Sequence, residues 1–414
     1  MSTPHARSNG IAPRLLLLAA IMGLLVTTTQ QAPAQTFTTL YSFAGPPNDG
    51  VQPMASPIVD SAGNVYGTTS SGGDSSSCGG AGCGTIFKVS ATGSETVLHS
   101  FGFADGANPQ GALVMDTQGN VYGTTTQGGR FGATCDKDNP CGTVFELTAS
   151  GTLTTLHNFG HHALTSPPDG YYLWAGPIMD AQGNLYGTTY TGGGRYNLGT
   201  IFELTPRGLG GAVWNERILH SFDFTQGWNS TCSLLIDAQG NLYGTTTQGG
   251  ETNWGTVFKL APNGKSTELY SFTGGKDGGG PYAGLVMDAQ GNLYGTTAYE
   301  GAHGGGTVFK LSPNGSETTL YSFGQSGDGK DPRPKLIIDA EGNLYGTTTY
   351  GGADGLGTVF KVTPSGTETV LHNFSGPDGG NPWGGLAFDG QGNLYGTTSV
   401  YGANGQGTVF KLTP

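Results

Sequence analysis

The string Gly-Asn-(Leu/Val)-Tyr-Gly-Thr-Thr recurs seven times, with its Asn at Asn64, Asn120, Asn184, Asn241, Asn292, Asn343 and Asn393, 50 to 64 residues apart. A period of this size confines the chain to repeat architectures, in which every copy forms one supersecondary unit and neighbouring copies stack through the same surfaces. Two further strings keep the same period. Gly-Thr-(Val/Ile)-Phe-(Lys/Glu)-(Leu/Val) starts at Gly84, Gly142, Gly199, Gly255, Gly306, Gly357 and Gly407, and Leu-(Tyr/His)-(Ser/Asn)-Phe ends at Phe43, Phe101, Phe159, Phe222, Phe272, Phe323 and Phe374. An apolar run ending in Asp, such as Leu285 to Asp288, precedes each Asn string.

Each unit therefore carries four short runs rich in β-branched and aromatic residues, bounded by Gly, Pro and Asn turns. In the fifth unit, runs a to d are 283–288, 292–297, 306–311 and 317–323. The a–b link, Ala289-Gln-Gly291, and the c–d link, Ser312 to Ser316, are tight turns that permit only antiparallel hairpins. Four-stranded meanders repeated about every 50 residues match propeller blades, whereas leucine-rich coils repeat every 20 to 29 or so. The expectation is an all-β, seven-bladed β-propeller of four-stranded antiparallel blades. Its seventh unit stops at Pro414 after run c, while an orphan run d, Phe37 to Phe43, stands near the start. This predicts that the N-terminal strand completes the last blade and closes the ring.

These strings resemble the GloVer (Gloeobacter and Verrucomicrobia) tandem repeat over residues 35–414. The resemblance implies an exported bacterial repeat protein, in a family often attached to the envelope by C-terminal sorting signals. The chain ends inside a blade strand without such a signal, and the family name carries no activity.

Composition narrows the function. Of 414 residues 76 are Gly and only 11% are charged, yet hydrophobic residues reach just 35% and no apolar run after residue 30 spans a bilayer. The excess of 29 acids over 17 Lys and Arg, net −12, offers no footprint for phosphate backbones, so nucleic acid is excluded as a partner. Regularly spaced aromatics (19 Phe, 18 Tyr, 5 Trp) supply a core and argue against disorder. Arg7 and Arg14, the apolar stretch Leu15–Val26 and Ala32-Pro33-Ala34 read as a signal peptide over residues 1–34, with an N-terminal anchor as the alternative. Secreted, periplasmic or cell-surface localisation follows. In that oxidising setting, the pairs Cys78/Cys83 and Cys135/Cys141 are expected as disulfides; neither has the close spacing of a zinc site. Cys232, beside Leu234, Leu235 and Ile236, reads as a buried thiol.

In a meander the a–b and c–d turns lie on one face, and the b–c and d–a links on the other. The second face holds both Cys pairs and the longest insertions, so any binding site is expected there. The residue six before the Asp that ends run a marks entry to the innermost strand near the central channel. It is Met54, Gln110, Trp174, Thr231, Tyr282, Arg333 and Trp383 in turn. Trp174, Tyr282, Arg333, Trp383 and Gln110 are the candidate ligand-binding residues, suited to stacking on sugar rings or peptide side chains; packing between blades is the alternative.

Other features read as structural. His99, His157, His220 and His372 alternate with Tyr41, Tyr270 and Tyr321 at one position, where a ring with a polar tip suffices. The recurrent Asp-Gly pairs at Asp49, Asp105, Asp169, Asp277, Asp328 and Asp378 suit calcium or turn chemistry, and turn chemistry explains them more simply. His161-His162, Glu216-Arg217 and Asp136-Lys137-Asp138 break the repeat. No Ser nucleophile elbow, phosphate loop or zinc-protease helix is present. The sequence thus points to a monomeric, non-catalytic binding or scaffold propeller without cofactor or metal, with a polysaccharide or envelope protein as partner. A carbohydrate-active lyase or hydrolase and a structural envelope component are the alternatives.

Overall fold

Most letters of the seven-fold string have a hydrogen bond or a packing contact that accounts for them in every blade. The computed structural model describes residues 1–3, 35–74, 76, 78–129, 141–160, 169–207 and 213–414. The chain divides into residues 1–34 and 35–414; the expected signal peptide falls in the first unit, almost all of it outside the described residues. The second unit carries seven four-stranded antiparallel sheets. Blade 5 shows the plan, with strand a at Val286–Met287, b at Leu293–Thr297, c at Thr307–Leu311 and d at Glu317–Ser322. Strand a pairs over two residues only, shorter than the six-residue run read from sequence. The reason is crowding at the centre, where a Cβ on Gly284 would run into the Ser233 carbonyl of the preceding blade.

In blade 7, strands a to c are Ala387–Phe388, Leu394–Thr398 and Thr408–Thr413, and strand d is Thr36–Ser42, antiparallel to strand c. Blade 3 has the longest outer hairpin, Thr200–Arg207 with Val213–Ser221. Arg217, off the repeat in sequence, forms an ion pair there with Glu203 at 2.6 Å.

The Asp ending strand a accepts hydrogen bonds from the Asn Nδ2 of the string at 2.6–2.8 Å in all seven blades, as Asp288 does from Asn292. The Tyr hydroxyl of the string donates to the same carboxylate at 2.9–3.3 Å. The Gly lies under the Phe of strand c: a Cβ on Gly295 would sit 2.7 Å from Phe309 Cζ. In five blades the first Thr donates to an entry-segment carbonyl of the next blade, as Thr245 Oγ1 does to Ala283 at 2.9 Å. The second Thr pairs with the Thr that opens strand c, as in Thr297 with Thr307 at 2.8 Å.

The core lies between blades. Seven clusters occupy the seven junctions, and the one between blades 7 and 1 joins Phe43, Tyr395 and Val409 to Val65, Phe87 and Val89. At each junction the Phe after strand d meets the Phe of the next strand c at 4.9–5.4 Å, mostly edge to face, a geometry that adds to area burial.

The Asp-Gly residues and the alternating Tyr/His residues belong together. Asp49, Asp277 and Asp328 accept from Tyr41, Tyr270 and Tyr321, while Asp105, Asp169 and Asp378 bond His99, His157 and His372 at 2.7–3.1 Å. Each carboxylate also accepts the backbone N–H that follows the junction Phe. These oxygens are thus engaged by protein donors. The junction between blades 3 and 4 departs from the pattern, because Gln226 replaces the Asp and both Gln226 Oε1 and His220 Nε2 are buried without partners.

Glu95 and Glu368 open strand d of blades 1 and 6, each with Oε1 buried and unpartnered. Burial, and then the charge of Asp49 or Asp328, pushes both carboxyls up to about 7. Their folded values exceed the unfolded one, so the stability they contribute is full below about pH 4.5 and is lost as pH rises through about 7. His220 and His372, pushed down by burial, slope the opposite way below about pH 6.5. Replacing both Glu residues isolates their part. Thermal melts of Glu95→Gln/Glu368→Gln should show a gain of roughly 1–3 kcal/mol near pH 8, after screening of these half-exposed groups, and almost none near pH 5. Equal effects at both pH values would contradict the assignment.

Candidate functional site

At the centre of the b–c and d–a face, one turn is repeated in every blade. Eight residues before the strand-a Asp, the backbone is left-handed at Gln52, Asn108, Tyr172, Asn229, Gly280, Asp331 and Asn381, with φ between 50° and 63°. Asn, Asp and Gly tolerate this region best and fill five of the seven positions. The turn aims the side chain two residues later at the channel. Accordingly Met54, Gln110, Trp174, Thr231, Tyr282, Arg333 and Trp383 line one cavity of about 580 Å³, joined by Tyr190.

Arg333 organises one side of this cavity. Its guanidinium lies 4.5 Å from the Tyr282 ring centre, 5.1 Å from Trp383 and 5.4 Å from Tyr299. Nε donates to Asp331 Oδ2 at 2.9 Å, and Nη2 donates to the Tyr299 hydroxyl at 2.7 Å. Although burial works against the cation, the charge and hydrogen bond of Asp331 raise its pKa. Burial in turn pushes Asp331 up against the pull of Arg333. Burial, then a hydrogen bond to Tyr299, pushes the Tyr282 hydroxyl up to about 12, so it stays a neutral donor.

Trp174 is 38% exposed, with Tyr190 edge-on at 6.4 Å. Gln110 Nε2 donates to Asn108 Oδ1, and Thr231 Oγ1 donates to the Tyr282 carbonyl. Tyr190 and Tyr299 escaped the sequence reading. Both lie just past the Gly-Thr-Thr run in b–c loops that differ among blades; their one signal is an aromatic residue in a variable loop.

The chemistry on offer is aromatic faces, one guanidinium and a few polar groups. Arg333 is the sole charged side chain among the eight lining residues. A larger cavity, about 700 Å³, lies on the opposite face between blades 2 and 3 and includes Asp116, Asp180, Glu146 and Trp214. Asp116 and Asp180 hold the hairpin Asn and Tyr residues, and Glu146 accepts from Tyr122 at 3.0 Å. Among the described residues, no group of three or more His, Cys, Asp or Glu could hold a metal ion.

The expected disulfides have different outcomes. Cys78 and Cys83 form theirs on the b–c face, and Cys232 is buried and free. The expected Cys135–Cys141 pair lies partly outside the described residues, because Cys135 is not among them. Cys141 itself is described: it is buried beside Gly142 at the entry to strand c of blade 2, and its sulfur is disulfide-bonded, not a free thiol. His161-His162 and Asp136-Lys137-Asp138 also lie outside the described residues.

Solved structures resemble this chain at low identity. The extracellular domain of a hybrid two-component system from B. thetaiotaomicron aligns with a TM-score of 0.53 at 11% identity, over 91% of this chain and 39% of that one. A gluconolactonase from Xanthomonas campestris aligns with a TM-score of 0.44 at 13% identity, over 91% of this chain and 89% of that one. No curated protein matches at a significant level. The model of the Gloeobacter/Verrucomicrobia repeat matches residues 22–172, 134–344 and 318–414. With its motif residues placed alike in all seven blades, this chain belongs to the Gloeobacter/Verrucomicrobia repeat family.

Proposed function

We propose that this is an exported, monomeric, non-catalytic binding propeller that takes a saccharide in the channel mouth. The observation that carries the reading is the lining itself. Trp174, Tyr190, Tyr282 and Trp383 give aromatic faces around a cavity of about 580 Å³, within the range of small-ligand sites. Sugar rings present flat C–H faces that stack on such rings, and hydroxyls that meet Gln110, Thr231 and Arg333. Blade packing does not require this convergence, because the junction cores are complete without these residues. Export is supported by the Cys78–Cys83 disulfide, which fits an oxidising compartment.

The test is a polysaccharide array probed with residues 35–414 and with Trp174→Ala/Trp383→Ala. Stacking losses of about 1 kcal/mol or more per ring predict at least roughly tenfold weaker binding by the double variant. Equal binding by both proteins would remove the mouth as the site. Product release during the screen would favour a carbohydrate-active enzyme, and retention on the cell surface without glycan binding would favour a structural envelope role.

A further inference from the structure

The wall below the mouth is built from small residues in six blades and from a lysine in one. Four residues before the strand-a Asp, these six blades carry Ser56, Ala112, Gly176, Ser233, Gly284 and Gly385, whereas blade 6 carries Lys335. Small residues are needed because entry segments crowd one another: a Cβ on Gly385 would lie 2.6 Å from the Lys335 carbonyl oxygen. The Lys335 side chain runs sideways over blade 5, its Cδ 3.4 Å from where a Gly284 Cβ would stand. Gly284 is two residues beyond Tyr282, and Lys335 is two beyond Arg333. A bend at Pro334 separates Lys335 from Arg333, and contacts between neighbouring copies of this position, Gly385 with Lys335 and Ser56 and Gly284 with Ser233, put Lys335 in the ring of residues that follows the mouth positions inward.

Among the described residues, no carboxylate forms an ion pair with Lys335. Burial pushes its pKa down. A partly buried cation without a carboxylate partner is unfavourable in the free protein and attracts an anion. Arg333 adds capacity: of five N–H donors, one goes to Asp331 and one to Tyr299, leaving three. The chain as a whole is acidic, net −12, so a cationic wall does not follow from composition.

We infer that the ligand bears a carboxylate, as a uronic-acid saccharide does, with the charge met by Arg333 at the mouth and Lys335 beneath it. This rests on the reading of the mouth as a saccharide site and names the class of sugar. The planar guanidinium fork suits a carboxylate in particular, while the ammonium below acts as a point charge. The aromatic rings hold the pyranose while the two cations select its acid group.

The test is calorimetric titration of residues 35–414 with trigalacturonate, with its methyl ester and with a sulfated neutral trisaccharide. Wild type, Lys335→Met and Lys335→Arg are compared. Wild type should bind the uronate at least about tenfold more tightly than the ester, the scale of a hydrogen bond to a charged group. Lys335→Met should lose most of that preference with ester binding unchanged, and Lys335→Arg should retain most of it. Lys335→Met should melt no lower than wild type, because it removes an unpaired cation and keeps the stem; if it fails to fold, the acid-to-ester ratio in wild type decides alone. Equal affinity for acid and ester, or a preference for the sulfated sugar, would overturn the carboxylate assignment and leave the mouth as a saccharide site. Binding of no sugar in any arm would overturn both.

Discussion

Deleting residues 36–43 is expected to make the protein self-associate and unfold at markedly lower denaturant. Strand d of blade 7 pairs with Thr408–Thr413 from Thr36↔Thr413 to Ser42↔Thr408. Without it, those residues become an exposed edge with a row of free N–H and C=O groups, the usual template for intermolecular pairing. The deletion also removes two anchors. Phe37 stacks on His372 of blade 6 at 3.7 Å and on Phe410 at 5.3 Å, and the fully buried Phe43 meets Phe87 of blade 1 at 5.0 Å. The fully buried Phe43 ring is worth about 3–5 kcal/mol when truncated in a core, and the partly buried Phe37 adds to it, so the loss should exceed that of any single substitution. Size-exclusion chromatography and urea titration measure both effects. A monomer of unchanged midpoint would show that the ring does not depend on this strand.

Phe309→Ala should destabilise the protein by about 3–5 kcal/mol, read from the shift in urea midpoint at constant slope. Phe309 is fully buried in strand c of blade 5 and packs with Tyr243, Val257, Phe272, Leu285 and Leu293 at the junction with blade 4. Its far edge covers Gly295, a site that admits no side chain while the Phe is present. Truncation leaves a void that neighbouring strands cannot close, since their positions are fixed by ladders on both sides of the blade. A loss below about 1 kcal/mol would mean that the ring does not fill the junction as described.

How far the sequence reveals this protein depends on what repeats. The strings that hold Phe309, Gly295, Asn292 and Asp288 were legible because seven copies keep them at the same spacing, whereas the bond of Asn292 to Asp288 and the packing of Phe309 over Gly295 were not. The channel-mouth positions were legible for a related reason: counting back from Asp288 or Asp339 reaches the same point of every blade. The partnership of Asp277 with Tyr270, or of Asp169 with His157, was not. The members of these pairs lie 6 to 12 residues apart across links of changing length, so no fixed offset connects them. Tyr190 and Tyr299 sit in loops that follow no template. Lys335 stands out only once the blades are superposed, because a lysine is unremarkable in a sequence and exceptional on a wall of Gly, Ala and Ser.

The left-handed residue ahead of each mouth position has a consequence for how such a ring can diversify. It sets the direction of the side chain two residues later through backbone geometry alone, and that side chain contributes nothing to the hydrogen-bonded frame of the hairpins. Met, Gln, Trp, Thr, Tyr, Arg and Trp already occupy these seven sockets on one unchanged scaffold. The rim thus behaves as a keyboard of seven exchangeable keys, so that a new recognition surface can be spelled by point substitution while the instrument beneath it stays the same.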